Sequence, residues 1–407
     1  MKILFIKQLF NPEPTAKSLD FAKELVSRGH QVQILTGFPS YPIGKIYPGY
    51  KQKFLFKEKI EGIEVFRVPI YPSQSNNGMK RMMHYLSYAI SASLIGPFVV
   101  SKPDVSFVYQ GAITVGIPAV IFKWFRGVPF VYDINDLWPE TIEVSGMLKN
   151  KLAIKLIDKW CNFNYKQASR ITVATPGFKK RLIEKSIPEN KIDFVPNWSR
   201  DLLHKESLEE PFLTKIFPKT KINILYAGNL GVVQSLYNVL DAMDLIQKKG
   251  INDLKLVLLG GGAEENNLKN YASELNLKNI DFVDRVDGNE VGLYLNSADI
   301  LFVHLKNTDL FSITIPSKIL SYLRTSKPIL LGLKGDAKDI INASGAGMCF
   351  DPDNVSDLVS KILKFHSMTK EERRDMGAKG PVYYGKHLSI ESSTEKLINN
   401  LSLVIDQ

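Results

Sequence analysis

The sequence predicts an α/β protein of two doubly wound, Rossmann-like domains facing one another across a cleft. Short apolar runs alternate with amphipathic helical patterns from the first residues onward, as βα units around a parallel sheet require. The alternation breaks at Pro196-Asn197-Trp198 and begins again at Ile222. With 407 residues and 44% hydrophobic content, the chain has material for two cores of ordinary size.

In the first half, Lys2–Ile6 and Gln31–Thr36 read as strands, joined by a helix from about Ala16 to Arg28 that Gly29-His30 closes. Further strands are expected at Ile63–Val68, Asp104–Tyr109, Pro129–Asp133, Arg170–Ala174 and Ile192–Val195. These complete an N-terminal domain of residues 1–198. A polar, charged stretch through Pro211 and Pro218 serves as a linker over 199–220. The second domain, 221–385, carries strands at Ile222–Ala227, Leu254–Leu259, Ile280–Val283, Asp299–Val303 and Pro328–Leu331. Residues 386–407 contain an amphipathic pattern from Ser389 to Val404, expected as a helix packing back across the domains.

Charge separates the halves. Residues 1–200 hold 28 basic and 15 acidic side chains (+13), leaving 24 and 27 (−3) for 201–407 out of totals of 52 and 42. A basic domain joined to a mildly acidic one points to an anionic partner for the first. The basic residues lie among amphipathic helices with no zinc-finger or aromatic RNA-binding signature, so an anionic membrane surface or a pyrophosphate-bearing substrate is expected rather than nucleic acid. Cys161 and Cys349 lack metal-ligand spacing and indicate no disulfide framework. The opening Met1-Lys-Ile-Leu-Phe-Ile-Lys is too short for a signal peptide's apolar core, and a cytoplasmic location is expected. The apolar run from Met82 to Val100 contains His84, three serines and Pro97, and reads as a buried or membrane-leaning helix rather than a span.

Doubly wound sheets bind ligands at the carboxyl ends of their strands, which directs attention to the loops there. Gly228-Asn229-Leu230-Gly231-Val232-Val233-Gln234 follows a strand and precedes a helix expected from Ser235. Glycines at such a turn let the backbone approach a phosphate that the helix N-terminus favours, although any βα turn can carry them. Gly260-Gly261-Gly262 allows a second close approach or a plain tight turn into a helix near Glu264. Asp284-Arg285-Val286 follows a third strand and is placed to meet a nucleobase. Phe311-Ser312-Ile313-Thr314-Ile315-Pro316-Ser317-Lys318 is more specific: Ser317 fits an N-cap, and Lys318 would supply countercharge to a pyrophosphate. In the first half, Asp136-Leu137-Trp138-Pro139-Glu140 ends a strand, with Pro139 suited to the first helical position. Asp136 there would orient an acceptor hydroxyl or cap the helix. Asp351-Pro352-Asp353 resembles a metal-binding pair but lies between a short strand and a helix pattern, so it reads as turn and cap.

The order of the Gly228–Gln234, Gly260–Gly262, Asp284–Val286 and Pro316-Ser317-Lys318 segments resembles the retaining family 4 glycosyltransferases of GT-B fold over nearly the whole chain. With Pro39-Ser40-Tyr41-Pro42-Ile43-Gly44 and Tyr47-Pro48-Gly49-Tyr50 upstream, Asp136–Glu140 is similar to the branch serving capsule and O-antigen synthesis, including N-acetyl-L-fucosamine transferases. The resemblance implies a UDP-sugar donor in the C-terminal domain and a lipid-diphosphate-linked saccharide acceptor in the N-terminal one, at the inner face of the cell membrane, with no cofactor and no metal. The donor-side residues it implies are Gly228, Asn229, Gly231, Gln234, Gly261, Arg285, Val286, Ser317, Lys318 and Ser321. Asn229, Gln234 and Lys318 would lie near the diphosphate, and Arg285 and Val286 near the base. On the acceptor side it implies Thr15, Lys17, Asp136, Trp138 and Glu140, and it makes Asp136 and Lys318 the catalytic pair.

Two departures stand out. Many family members carry a Glu-x7-Glu pair around the helix that Lys318 opens, and those places fall at Ile313 and Ser321. The Arg and Lys that many relatives set on the diphosphate are replaced by Asn229 and Gln234. Loss of a charged hydrogen bond to a ribose diol costs about 1.5–3 kcal/mol. Three alternatives follow from the same residues: a UDP-sugar 2-epimerase, a non-catalytic sugar-binding protein, and a catalytically degenerate sugar-nucleotide-binding subunit.

Overall fold

The computed structural model describes residues 1–75, 77–145, 150–199 and 210–405. It divides into two units, Met1–Asn197 with Ile390–Gln407, and Trp198–Ser389. Of the expected linker, residues 200–209 lie outside the described residues, and Glu210–Ile216 is a short helix in the second unit.

The first unit holds eight strands: β1 (Lys2–Ile6), β2 (Gln31–Gly37), β3 (Phe56–Ile60), β4 (Ile63–Val68), β5 (Val105–Gln110), β6 (Phe130–Ile134), β7 (Arg170–Val173) and β8 (Ile192–Phe194). Their order is β3-β4-β2-β1-β5-β6-β7-β8, and all pair in parallel except β3 with β4. The inner strands are predominantly apolar and buried, as strands covered by helices on both faces of a sheet are. Chain order reverses between β1 and β5, and there a crevice opens at the carboxyl ends. The sequence reading missed β3. Its Phe-Lys-Glu-Lys-Ile pattern is charge-rich and it sits at the sheet edge, where half-exposed polar residues are tolerated. The one local sign was Glu61-Gly62, both left-handed, which make a two-residue hairpin turn into β4.

The second unit holds β9 (Ile222–Ala227), β10 (Leu254–Leu259), β11 (Ile280–Val283), β12 (Ile300–His304), β13 (Ile329–Gly332) and β14 (Gly347–Cys349), all parallel, in the order β11-β10-β9-β12-β13-β14. Its core joins β9, β10 and β12 to the helix Tyr237–Lys248 through Leu240, Met243, Leu256, Leu258 and Phe302. This unit runs to Ser389, past the expected boundary at 385, because the helix Lys370–His387 packs on the helices Ser317–Leu323 and Asp336–Ser344. The last helix, Ile390–Ile405, packs on the first unit, against the helix Leu19–Ser27 and strands β5, β6 and β7.

Four expected helix starts shift: the helix expected from about Ala16 begins at Leu19, after a left-handed Lys17, and three others move as well. The helix expected from Ser235 begins at Tyr237, after a 3-10 turn at Val232–Gln234 and a left-handed Ser235. Glu140, not Pro139, opens its helix. Pro316 precedes the helix Ser317–Leu323, which has no side-chain cap, so Ser317 is its first residue rather than its cap.

Candidate donor and acceptor sites

In the second unit the candidate site grows from the turn after β9. Tyr226, fully buried, donates its hydroxyl to the Asn229 carbonyl at 2.7 Å and so folds the turn back on the strand. Tyr322 anchors the next element: its hydroxyl accepts from the Ala227 amide at 3.1 Å and donates to the Ala227 carbonyl at 3.3 Å. Lys318, one helical turn before Tyr322, lies on the same face. Its Nζ sits 3.9 Å from the centre of the Tyr226 ring. A side chain at Gly228, where φ is +151°, would come within 2.7 Å of that nitrogen, so glycine is what admits the ammonium.

Lys318 has no carboxylate partner among the described residues. Burial pushes its pKa down to about 7. A cation whose charge is disfavoured by desolvation and unrelieved by a counterion is poised for an anionic ligand. Beside it a cavity of about 440 Å³ is lined by Gly228, Asn229, Gly260, Gly261, Arg285 and Val286, with Asp287, Gly288 and Val291 at its far side. The turns after β9 and β10 interlock there, since a side chain at Gly260 (φ +139°) would meet the Gly228 carbonyl at 1.9 Å. Arg285 is exposed at the rim and, like Lys318, has no ionic partner among the described residues.

Of the expected donor residues, Gly228, Asn229, Gly261, Arg285 and Val286 thus line one cavity, with Lys318 against its Gly228 edge. Gly231 and Gln234 shape the adjoining loop: the Gln234 Oε1 accepts from the Gly231 amide at 3.0 Å and from Asn229 Nδ2 at 3.3 Å. Ser317 is exposed at the head of its helix. Ser321 shares a hydrogen bond of 3.0 Å with Ser199. Ile313 ends a short helix and offers no polar group. The sequence reading missed Tyr226 and Tyr322, because aromatic residues in a strand and a helix look like core until the ring is seen beneath a cation.

The Asp351-Pro352-Asp353 segment is held as a turn. Asp351 accepts from the Asp353 amide and pairs with Lys334, Asp353 accepts from Asn307, and His304 Nε2 lies 3.0 Å from the Pro352 carbonyl. Among the described residues no group of three His, Cys, Asp or Glu is placed to hold a metal ion.

In the first unit a cavity of about 430 Å³ opens where β1 and β5 diverge, lined by Gln8, Thr15, Tyr41, Arg81, His84 and Tyr109 among others. Thr15 lies on its wall with its hydroxyl accepting from Lys7 Nζ at 2.9 Å. The Gln8 Oε1 is buried without a partner among the described residues. Glu13 braces the rim: its carboxylate accepts from the amides of Phe10, Ser40 and Tyr41, although burial still raises its pKa. The Pro39–Gly44 motif is therefore built around a residue the sequence reading did not single out.

Two expected acceptor residues are corrected here. Lys17 is 1% exposed, with its ammonium 2.8 Å from Asp133, whose carboxylate also accepts from Thr172 and Asn135. It closes the fold beneath the sheet end and is not presented to a ligand. Glu140 pairs with Lys185 at 3.0 Å, so its charge is likewise neutralised internally. Asp136, by contrast, keeps solvent access, and partial burial raises its pKa. Trp138 is half-buried next to it, its indole nitrogen without a partner among the described residues. Neither Asp136 nor Trp138 lines the cavity that Thr15 shares.

Comparison with known proteins agrees with this two-part arrangement. Residues 14–198 match the glycosyl transferase 4-like domain family, and residues 211–382 match the glycosyl transferases group 1 family. A putative colanic acid biosynthesis glycosyl transferase of Escherichia coli (strain K12) is 22% identical over 382 residues, covering 89% of this chain and 91% of that protein. Among solved structures, a sucrose-phosphate synthase from Thermosynechococcus elongatus matches with a TM-score of 0.71 at 13% identity, covering 100% of this chain and 99% of that one. The HepE protein of Anabaena in complex with UDP-glucose matches with a TM-score of 0.66 at 13% identity, covering 99% of this chain and 100% of that one. At such identities the structural likeness is one of fold. The chain is a glycosyltransferase of GT-B fold, with a glycosyl transferase 4-like domain followed by a glycosyl transferases group 1 domain.

Proposed function

We propose that the protein moves a sugar, with retention of anomeric configuration, from a UDP-sugar to a lipid-diphosphate-linked saccharide in capsule or O-antigen synthesis. An N-acetylated amino sugar such as N-acetyl-L-fucosamine is the donor sugar this reading favours. The observation that carries it is the Lys318 ammonium over the glycine turn, with no carboxylate partner among the described residues, beside a cavity that ends at Arg285 and Val286. The Escherichia coli relative, named for colanic acid biosynthesis, and the UDP-glucose complex of the similarly folded HepE support the same direction.

In this reading the bond from the anomeric carbon to the β-phosphate oxygen breaks with its electron pair on the phosphate. Lys318 stabilises that developing charge, which is where preorganised cations contribute most. Uridine lies toward Arg285 and Val286. The acceptor oxygen then bonds to the anomeric carbon from the side the diphosphate leaves, and its proton passes to the departing phosphate oxygen. Asp136 orients the acceptor hydroxyl. No metal enters the scheme. The basic first half suits a diphosphate-linked acceptor at the inner face of a membrane, and among the described residues no helix is long and apolar enough to cross one.

Purified protein incubated with UDP-sugars and lipid-diphosphate-linked saccharides is expected to release UDP only when both substrates are present, giving an axial or equatorial linkage that matches the donor. Turnover of UDP-N-acetylglucosamine without acceptor would mean an epimerase instead. Binding of UDP with no transfer to any acceptor would favour the degenerate subunit, for which the apolar Ile313 and the engaged Ser321 are the specific observations.

A further inference from the structure

The helix Gly78–Val99 buries one side and leaves the other uncovered. His84, Tyr88, Ala92 and Ile95 pack inward, with the Tyr88 hydroxyl donating to the Leu35 carbonyl at 2.9 Å. On the other side, every exposed residue from Met82 to the end of the helix is apolar: Met82, Met83, Leu86, Ile90, Leu94 and Phe98. From Met83 onward they recur every three or four residues, so they form a single stripe. Leu94 is 67% and Phe98 87% exposed.

The stripe continues onto two neighbouring helices. Arg126 donates to the carbonyls of Pro97 and Val100, both at 2.8 Å, and so fixes the end of the helix Gly116–Arg126 beside the end of Gly78–Val99. Trp124 and Phe125 stand exposed there, and Phe125 is 77% exposed. Trp124 meets Phe163 of the helix Lys151–Gln167 edge-on, with ring centres 6.2 Å apart. Over residues 151–159 of that third helix the exposed residues are Lys151, Leu152, Lys155, Leu156 and Lys159. None of the three lysines has an ionic partner among the described residues.

A contiguous apolar surface of this kind on a folded unit marks a place of contact. Its charge selects the occupant. Between residues 65 and 132 there are six basic side chains, of which Arg67 is buried against Glu58, and one acidic one, Asp104, whose carboxylate accepts from the Lys2 amide; on the third helix the one acidic residue, Asp158, is paired with Lys185. Apolar side chains flanked by unpaired lysines and almost no carboxylates suit lipid tails under a layer of phosphates. We propose that these three helices form the face by which the first unit lies on an anionic lipid bilayer, without crossing it. The inference deepens the proposed function and rests on it only for the nature of the acceptor. The helix that carries the stripe also lines the cavity of about 430 Å³ with Arg81, His84 and Tyr85, so a lipid-borne headgroup would reach that cavity along one helix.

Flotation of the full chain with vesicles of phosphatidylcholine, alone or mixed with phosphatidylglycerol, tests this. The protein is expected to float with the anionic vesicles, less so as salt rises, and Trp124 emission is expected to shift to the blue, a change absent in Trp124→Phe. The triple variant Leu94→Gln, Phe98→Ser, Phe125→Ser is expected to lose partition at least about tenfold. Replacing Lys151, Lys155 and Lys159 by Gln is expected to abolish the preference for anionic lipid. Failure of the wild-type chain to float at low salt, or undiminished flotation of the triple variant, overturns the proposal. So does a wild-type dimer in light scattering that the triple variant converts to monomer, since the face would then join two copies. Each variant's melting curve and UDP response serve as controls. A wild-type chain that floats but ignores UDP would count against the donor reading and leave this one standing.

Discussion

The two units treat charge at their strand ends in opposite ways. In the first, Asp133 is closed off by Lys17, Thr172 and Asn135, Glu140 by Lys185, and Glu13 by three backbone amides. In the second, Lys318 and Arg285 stand at a cavity with no ionic partner among the described residues. A charge satisfied by the fold holds a loop in place, whereas a charge left unsatisfied has its partner still to come. On the proposed reading, the contrast puts the donor diphosphate in the second unit and the framing of the acceptor loops in the first.

The largest expected effect comes from breaking a closed charge. Lys17→Met leaves Asp133 buried without its counterion and is expected to lower stability by about 3–5 kcal/mol, read from urea denaturation. An unchanged midpoint would show that the pair is not what closes that sheet end. Opening the contrast from the other side, Lys318→Ala is expected to reduce turnover about 10²–10³-fold, in the range of other lost transition-state donors, with little change in the urea midpoint. Intact turnover would remove Lys318 from the leaving-group role. Gly260→Ala, which drives a methyl into the Gly228 carbonyl, is expected to cost about 1–3 kcal/mol of stability and to weaken UDP binding together. If only stability falls, the glycine serves the interlocked turns and not the ligand.

Acidity sharpens the same comparison. Because Lys318 titrates near 7 when free, and a bound diphosphate favours its charged form, UDP affinity is expected to be flat below that pH and to fall by up to tenfold per unit above it. Lys318→Arg, charged throughout, is expected to lose the part of the slope that the lysine supplies. For the unliganded protein the sign reverses: between about 7 and about 10.4 the unfolded chain holds this proton more tightly than the folded one, so this group makes stability rise with pH across that window. The smallest effect belongs to Thr15→Ala, which removes one hydrogen bond to Lys7 and is expected to cost about 0.5–1.5 kcal/mol.

Much of the architecture was legible in the sequence because parallel strands are written as short, predominantly apolar segments between helical patterns. Ile63–Val68, Ile222–Ala227, Leu254–Leu259 and Ile280–Val283 have the bounds read for them, although each carries a polar residue at its second position. What escaped was the edge strand β3, whose alternating charges resemble a loop, and the helix starts, where backbone conformation at Ser235 and Pro316 decided against the side-chain signals. For the site, the glycine turns and Lys318 were readable from their spacing, since that spacing fixes which loops follow which strands. Whether a charged residue is presented or paired was not readable. Lys17 and Asp133 lie 116 residues apart, and no local pattern announces that they meet. The exposed side of Gly78–Val99 was hidden for a related reason: a helix that is apolar all round gives no hint of which face the fold covers.

A uridine diphosphate held against Lys318 in the second unit is what the proposed function most requires. Thermal unfolding of the full chain with UDP, GDP, CDP or ADP is the most direct test. At 100 times its dissociation constant a ligand adds about 2.7 kcal/mol to stability, so UDP is expected to raise the melting temperature measurably, the other three far less, and Lys318→Ala to lose most of the UDP response. No shift with UDP at millimolar concentration, or an equal shift in Lys318→Ala, would contradict the account.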